Sequence, residues 1–376
     1  MRAIVVGGGI GGLATARGLG LRGWDVTVLE RQRRLEAAGA GLSLWPNALR
    51  ALDWLGVGDR VRGAGAPVVG GGLRTAGGGW LTRVAMDPSG GPIVVHRADL
   101  HEILAGGVRV RTGVAVSDPG ELDADLIVGA DGIGSVIRMR YAPQVRIRDS
   151  GQVSWRAVAP GDAPGGGETM GADGLRFGYL PMGRRGVYWY AVAPAPLRTT
   201  SKAEQLAELR RAFGSWHAPI PQLLEATDAA ALLHHPLLDL DPVAPMRFGE
   251  RIALVGDAAH AMTPNLGQGA CQALEDAVTL AGLVPDGRNG TAAGLADALH
   301  RYDAERRPRV ALVARRSWQV GRVAGARGRL ASAAVRALAR LTPSSATARA
   351  AQRIAEWAPA HPSPAAEGNA TQRRAR

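Results

Sequence analysis

The sequence of 376 residues contains one cysteine, Cys271, and one lysine, Lys202. A lone thiol excludes an intrachain disulfide and points to a reducing compartment, so the expected location is cytoplasmic. No uncharged run of 18 apolar residues occurs, and no transmembrane helix is expected. The apolar start is broken by Gly7, Gly8, Gly9, Gly11 and Gly12, with no small-residue cleavage site after it. It reads as a strand and a turn, not as a secretion signal. The formal net charge of +12 is confined to residues 301–376, where 16 arginines face four acids; residues 1–300 carry 29 charges of each sign. The body of the chain therefore lacks an electrostatic footprint for nucleic acid, and a nucleic-acid partner is not expected. With 46% hydrophobic and 21% charged residues, the chain suits one large globular domain or two closely joined ones.

Residues 2–6 (Arg-Ala-Ile-Val-Val) form an apolar run ahead of the glycine cluster. Leu13, Ala16, Leu19 and Leu21 recur at helical spacing up to Gly23, and Val26, Val28 and Leu29 mark a second strand. This strand–turn–helix–strand unit opens a parallel sheet. Residues 63–92 are Gly-rich and read as turns between short strands, and residues 107–116 alternate as strands do. Leu126–Val128 is a buried strand ending in Gly129-Ala130-Asp131-Gly132. From about 150 to 240, β-prone stretches such as Gly186–Val192 signal a second sheet, interrupted by a helix near 201–214. Residues 252–256 return to the parallel sheet, and helices follow to about 358. The expected fold class is α/β. A discontinuous Rossmann-like nucleotide-binding domain takes residues 1–150 and 245–320, with an interleaved, mostly β-sheet substrate domain at 151–244. Basic C-terminal helices occupy 321–358, and a disordered tail occupies 359–376.

Three motifs carry the chemistry. Gly7-x-Gly9-x-x-Gly12 follows a strand, opens a helix and precedes Glu30, 18 residues beyond Gly12 at the end of the next strand. Gly7 permits a tight turn, Gly9 lets a pyrophosphate approach the backbone, and Gly12 lets helix and strand pack closely. The helix N-terminus offers amide donors to phosphate, and Glu30 can accept from a ribose diol. This motif does not choose between NAD and FAD. Asp131-Gly132-x-x-Ser135-x-x-Arg138 comes second and is, alone, a strand-ending turn. The third is Gly256-Asp257-Ala258-Ala259-His260, followed by Pro264, Gly267-Gln268-Gly269 and Glu275-Asp276. A buried strand delivers Asp257 to its carboxyl end, where open α/β sheets bind ligands, and a carboxylate there can hold a chain of hydroxyls. The helix that Gly267–Gly269 opens aims free amides forward and would stabilise developing negative charge.

In this order, over roughly residues 2–320, the motifs resemble the FAD-dependent aromatic-ring hydroxylases, the family of para-hydroxybenzoate, salicylate and urate hydroxylases. The resemblance implies the para-hydroxybenzoate-hydroxylase type of FAD-binding fold. It implies Gly7, Gly9, Gly11 and Gly12 along the FAD pyrophosphate, and Glu30 on the adenosine ribose with Arg31 beside it. Arg97, in His96-Arg97-Ala98-Asp99-Leu100, would lie near the flavin's linker. Asp131 and Gly132 would serve FAD and the docking of the nicotinamide cofactor. Asp257 would hold the ribityl chain, with Pro264, Gly267 and Gly269 against the isoalloxazine. The implied activity is a monooxygenase using NAD(P)H and O2 through a flavin C4a-hydroperoxide. Its substrate would be an electron-rich aromatic, polyketide-like or terpenoid small molecule, hydroxylated or epoxidised. The alternative is a dehydrogenase or reductase on the same fold that incorporates no oxygen. The halogenase pattern Gly-Trp-x-Trp-x-Ile-Pro is absent.

The chain also departs from the family. Cys271 stands where many aromatic hydroxylases have Asn, and Asn265 stands where urate hydroxylases carry an acid, which disfavours urate. Residues 97–131 form a shorter stretch than usual, so part of the peripheral sheet is expected to be missing. Candidates for the pocket wall are Trp155, Arg156, Arg176, Tyr179, Tyr188 and Tyr190. Arg176 and Tyr188, 12 residues apart, match positions that contact substrate in urate-hydroxylase-like members. No residue stands out as a catalytic base, so the catalytic residue is unassigned. His234 and His235 have no further ligands at metal-binding spacing and are read as structural, with no metal expected. Residues 310–340 interleave Val, Ala and Leu with Arg. That pattern reads first as a solvated helical face, with docking to a lipid headgroup layer or an acidic carrier protein as the sharper reading. Monomer and homodimer are both open.

Overall fold

The computed structural model describes residues 1–35, 39–87, 90–195 and 201–364. The chain opens with β1 (Arg2–Val6), α1 (Ile10–Leu21) and β2 (Asp25–Glu30). Next come β3 (Gly41–Leu44), α2 (Pro46–Trp54), α3 (Gly58–Ala64), β4 (Ala66–Pro67), β5 (Gly70–Thr75), β6 (Trp80–Ala85) and β7 (Ile93–His96). α4 (Arg97–Ala105), β8 (Val110–Thr112), β9 (Leu126–Gly129) and α5 (Val136–Tyr141) lead to the long β10 (Arg146–Ala159). β11 (Gly167–Met170), β12 (Arg176–Pro181), β13 (Val187–Pro194), α6 (Lys202–Phe213), α7 (Ile220–Glu225) and β14 (Leu233–Asp241) follow. The last elements are β15 (Arg247–Phe248), β16 (Ile252–Leu254), α8 (Asp257–His260), α9 (Gly269–Leu283), α10 (Ala292–Ala324), α11 (Arg329–Leu341) and α12 (Ser344–Ala355).

Among the described residues the strands form a largely parallel sheet in the order β15-β16-β9-β1-β2-β8, a larger sheet β14-β10-β13-β12-β11-β5-β6, and a small one, β3-β7-β4. In β1, Ala3 to Val6 are buried on both faces, the mark of a central parallel strand covered by helices. α1 packs between this sheet and α9, where Gly11 meets the methyl of Ala273 and the two backbones approach closely. The strands thus end together and deliver the turns after β1, β9 and β16 to one edge, where ligands of such sheets bind.

The larger sheet has two unlike faces. Trp155, Ala157, Phe177, Trp189 and Ala191 lie on one, buried with Leu206, Leu209 and Phe213 of α6 and Leu223 and Leu224 of α7. Both tryptophan N–H groups find partners there, Trp155 on Gln205 Oε1 at 3.0 Å and Trp189 on Thr227 Oγ1 at 2.9 Å. Buried indoles keep their stability only when that donor is satisfied. Phe177 stacks on Trp189 with ring centroids 5.2 Å apart. The opposite face turns toward the parallel sheet.

Three features differ from the sequence expectation. The larger sheet recruits β5 and β6 from residues 70–85, so a division at residue 150 separates strands that pair. Gly70-Gly71-Gly72 has no side chains to alternate, and the period-2 signal is lost there. The strand-like stretch 107–116 yields only β8, with Val114 and Val116 outside it. The expected tail from 359 begins as packed chain: the Trp54 indole donates to the His361 carbonyl at 3.0 Å, and the Ser363 hydroxyl to the Trp54 carbonyl at 2.6 Å. Those two bonds tie residues 361 and 363 to α2; the rest of that expected tail, 365–376, lies outside the described residues.

Candidate active site

Two helix starts face one cavity of about 560 Å³. Gly9 precedes α1 and Gln268 precedes α9, and neither helix has a side-chain cap. Their first-turn amides are therefore open donors at the positive end of a helix dipole. The turn before α1 is sterically committed. Gly7 has φ +108°, and a Cβ on it would lie 2.3 Å from the Ala130 carbonyl oxygen. A Cβ on Gly12 would lie 2.0 Å from the Gly7 carbonyl oxygen, whereas one on Gly9 would meet nothing. Gly7 and Gly12 thus shape the turn, and Gly9 leaves space in front of it.

Of the residues singled out by motif, Gly9, Gly11, Arg97, Gly132, Arg176, Tyr188, Asp257, Pro264, Gly267 and Gly269 line this cavity. Glu30 and Arg31 lie at the carboxyl end of β2, outside its walls. Glu30 accepts from the Gly8 amide at 2.7 Å and the Gln32 amide at 2.8 Å. A carboxylate has about four acceptor sites, so two remain for a diol. Asp131 accepts from Val136 N at 2.8 Å through Oδ2, while its buried Oδ1 has no partner. An orphaned acceptor at this point fits a ligand hydroxyl or amide. Arg97 and Asp257 face one another electrostatically: burial lowers the Arg97 pKa, Asp257 opposes that, and Arg156 adds to it.

Behind the cavity lies a buried polar knot. Asp276 Oδ2 accepts from Gly256 N at 2.9 Å and pairs with His260 Nε2 at 2.6 Å. Arg306 donates to Asp276 Oδ1 at 2.8 Å, to Gln272 Oε1 at 2.9 Å and to Glu275. Arg309 clasps Glu275 at 2.6 and 2.7 Å, and Asn47 Nδ2 donates to Glu275 at 2.6 Å and to Gln268 Oε1 at 3.0 Å. The knot fixes the turn that presents Asp257 and the residue that opens α9. Arg138 does the same between the second and third motifs, donating to the carbonyls of Ala258 at 3.0 Å and Ile133 at 2.5 Å. His260 is consumed by the knot and does not reach the cavity. Cys271 is also buried, near the carbonyls of Ser43 and Gly267, and burial pushes its pKa up to about 12.

The far wall is the open face of the larger sheet. Register sets Arg156 opposite Tyr190, Gly178 opposite Tyr190 on the other side, and Leu180 opposite Tyr188. Ser154, Arg156, Glu168, Arg176, Leu180, Tyr188, Tyr190 and Val192 accordingly share this face. Trp155 and Tyr179, expected in the wall, belong to the core on the other face, because each is one residue out of phase with Arg156 or Arg176. His234 stacks on Trp155 at 4.9 Å, consistent with a structural part. Among the described residues no group of three His, Cys, Asp or Glu could hold a metal ion, and no helix is long and apolar enough to cross a membrane.

Glu168 was not singled out by its sequence. Its Oε2 accepts from the Tyr190 hydroxyl at 2.7 Å, and its Oε1 lies 3.6 Å from Arg176 Nη1. Arg176 is 3% exposed and donates to Gln152 Oε1 at 3.2 Å and Asn265 Oδ1 at 3.0 Å. Burial and the Glu168 carboxylate hold the Tyr190 pKa well above the usual tyrosine value, and burial also raises that of Tyr188. Gly-Glu-Thr-Met carries no motif; only pairing with β12 brings Glu168 beside Tyr190.

Comparison with known proteins joins this geometry to a family. The FAD binding domain family matches residues 1–112 and 90–317. The chain is 35% identical over 351 residues to the aurachin C monooxygenase/isomerase of Stigmatella aurantiaca, covering 86% of this chain and 89% of that protein. It is 33% identical over 383 aligned positions to the 2-heptyl-3-hydroxy-4(1H)-quinolone synthase of Pseudomonas aeruginosa, covering 94% and 97%. The crystal structure of Klebsiella pneumoniae HpxO complexed with FAD and uric acid superimposes with a TM-score of 0.83 at 28% identity, covering 95% of this chain and 96% of that one.

Proposed function

The chain belongs to the FAD binding domain family, and from that premise we propose that it oxygenates a planar bicyclic heteroaromatic bearing an N–H or O–H group, with NAD(P)H as electron donor. It is an FAD-dependent monooxygenase. The observation that carries the substrate class is one cavity whose near side holds two uncapped helix starts and whose far side is a mixed face of Leu180, Val192, Tyr188, Tyr190, Arg156 and Glu168. Ligand sites of this kind are mostly apolar, with a few polar groups that fix orientation. By their names, one relative is a monooxygenase/isomerase of aurachin C and the other makes a 2-heptyl-3-hydroxy-4(1H)-quinolone, and a fused heteroaromatic suits the same wall.

Bound FAD supplies the acceptance of electrons from NAD(P)H and the activation of O2. The α1 amides at Gly9 and Gly11 would hold the pyrophosphate, Glu30 with Arg31 beside it the ribose, and Asp257 with Arg97 the sugar chain and linker. Pro264 and the first amides of α9, from Gly267 to Gly269, would lie against the ring and favour negative charge there. Asp131 and Gly132 would contact the cofactor through the open acceptor of Asp131. On the substrate side, Glu168 accepts the proton of the ring N–H or O–H, which makes the ring richer in electrons. Tyr190 keeps its own proton and orients that carboxylate. Arg156 and Tyr188 steady the charge left on the substrate.

The test uses purified yellow protein with NADH and NADPH and a panel of 4-quinolones, hydroxyquinolines and monocyclic phenols. A bicyclic heteroaromatic should accelerate NAD(P)H oxidation at least about tenfold and carry one 18O atom from 18O2. Stimulated oxidation that yields only hydrogen peroxide, with an unlabelled product, would favour the dehydrogenase or reductase reading. Stimulation by monocyclic phenols alone would remove the substrate class.

A further inference from the structure

We infer that α11 is a docking surface for an anionic lipid bilayer, set beside the cavity. Leu330, Leu338 and Leu341 are 88%, 57% and 80% exposed. With Ala333, Ala334 and Ala337, also exposed, they fall at the i, i+3, i+4, i+7, i+8 and i+11 positions of one helical face. An amphipathic helix of a globular protein buries such a face; this one turns it outward. The opposite side holds the helix in place: Ser332 is buried and its hydroxyl accepts from Asp173 N at 3.2 Å, while Gly328 N donates to Asp173 Oδ1 at 2.9 Å. The leucines therefore face outward on an anchored helix.

Charge selects the occupant. Between Glu305 and Glu356 the sequence has twelve arginines and no acid. Arg340 is exposed and Arg336 half-buried along one edge of that face, and Arg322 is exposed beside Val320 and Val323, which are themselves exposed at the end of α10. Leucines and alanines on one face with arginines along its edge form the pattern of a helix lying in a membrane interface, where the long arginine stems reach the headgroups while the leucines enter the acyl boundary. Anionic headgroups supply the opposite charge.

Position gives the surface a purpose. The next helix, α12, contributes Ala351 and Ile354 to the cavity wall. A substrate with an apolar substituent concentrates in the bilayer, and a protein resting on α11 would meet it there rather than in water. Docking itself is independent of which molecule is oxygenated.

The experiment is flotation of the full FAD-loaded chain with vesicles of phosphatidylglycerol and phosphatidylcholine, and with pure phosphatidylcholine, in low and moderate salt. The expected result is flotation with the anionic vesicles that weakens with salt. The Leu330→Ser/Leu338→Ser/Leu341→Ser variant should lower partitioning at least about tenfold. Each of Arg336→Gln and Arg340→Gln should lower it about fivefold. All variants should keep their flavin absorbance and their NAD(P)H oxidation with a water-soluble substrate, since these residues lie outside the cavity. Three outcomes overturn the inference: no flotation with anionic vesicles at low salt, flotation unchanged in the triple serine variant, or a wild-type dimer in sedimentation that the triple variant dissolves. The last would make a second copy of the chain the occupant.

Discussion

Arg306→Met tests whether the knot behind the cavity sets the stability of the cofactor edge. Arg306 and its partners Glu275 and Asp276 are at most 1% exposed, so water cannot replace the lost guanidinium. Breaking a buried ion pair from one side costs about 3–5 kcal/mol, because the remaining charge is left uncompensated. An unfolding entropy of about 2.1 cal/mol/K per residue, taken over the whole chain, is about 0.8 kcal/mol/K, so Tm should fall by about 4–6 °C. The pH dependence carries a sign. In the wild type, desolvation raises the Asp276 pKa, but His260 and Arg306 outweigh it, and the folded value lies below the ordinary one. A depressed carboxylate contributes stability that is present above its unfolded pKa and lost only as pH falls through the lower folded one, so this group leaves Tm flat from about pH 5 to 8. Without Arg306 only His260 and the Gly256 amide oppose desolvation, so the folded pKa moves upward and the charged carboxylate becomes costlier in the folded state. The Tm deficit of the variant relative to wild type should therefore shrink as pH is lowered toward the carboxylate range, and adding Asp276→Asn should restore part of the loss. Circular dichroism melts at saturating FAD read both effects. A variant melting within about 1 °C of wild type, or one whose Tm shows no rise on acidification relative to wild type, refutes the reasoning.

Gly12→Ala puts a methyl 2.0 Å from the Gly7 carbonyl oxygen and 3.2 Å from the Ala130 Cβ, so the Gly7 backbone would have to move. It should yield protein that loses FAD on gel filtration, and a yellow variant with unchanged Tm would contradict that. Glu168→Gln keeps the shape of the side chain and removes its basicity, so kcat should fall about 10²-fold or more with FAD affinity unchanged. Tyr190→Phe, which spares the base, should cost less in kcat than Glu168→Gln; the reverse order would reassign the proton acceptor. The Cys271 thiol, with its pKa near 12, stays neutral at ordinary pH, so folded protein should resist iodoacetamide at about pH 8 and react only after denaturation, as read by mass spectrometry.

The parallel half of the fold was legible because its signals are local. Ala3-Ile4-Val5-Val6 before Gly7, and Ile252-Ala253-Leu254 shortly before Gly256, are buried strands that hand the chain to a turn, and Gly7 and Gly12 each have a steric reason. The cavity wall was less legible because a sheet is made by partners far apart in sequence. Arg156 could be guessed from residue type, and Tyr188 came from the resemblance to urate-hydroxylase-like members. That Trp155 and Tyr179 point away needed only the phase of the strand, once Arg156 and Arg176 were fixed on the cavity face. Glu168 required the register of β11 on β12, which no window of the sequence contains. The knot was invisible for the same reason: Asp276 and Arg306 are 30 positions apart, on different helices.

Arg176 shows how one substitution redistributes charge over this wall. The sequence assigned it to the substrate, yet its guanidinium is held by Gln152, by Asn265 and, at longer range, by Glu168. Asn265, where the resemblance to urate hydroxylases implies an acid, is a neutral amide and gives the buried cation no counter-charge. Glu168 supplies that counter-charge from the sheet. The negative end of the pair therefore lies on the substrate wall, hydrogen-bonded to Tyr190 and within the cavity. Such a wall favours a substrate edge that donates a hydrogen bond over one that only accepts. Arg176, expected to touch the substrate, lines the cavity and also holds the carboxylate that we propose as the proton acceptor.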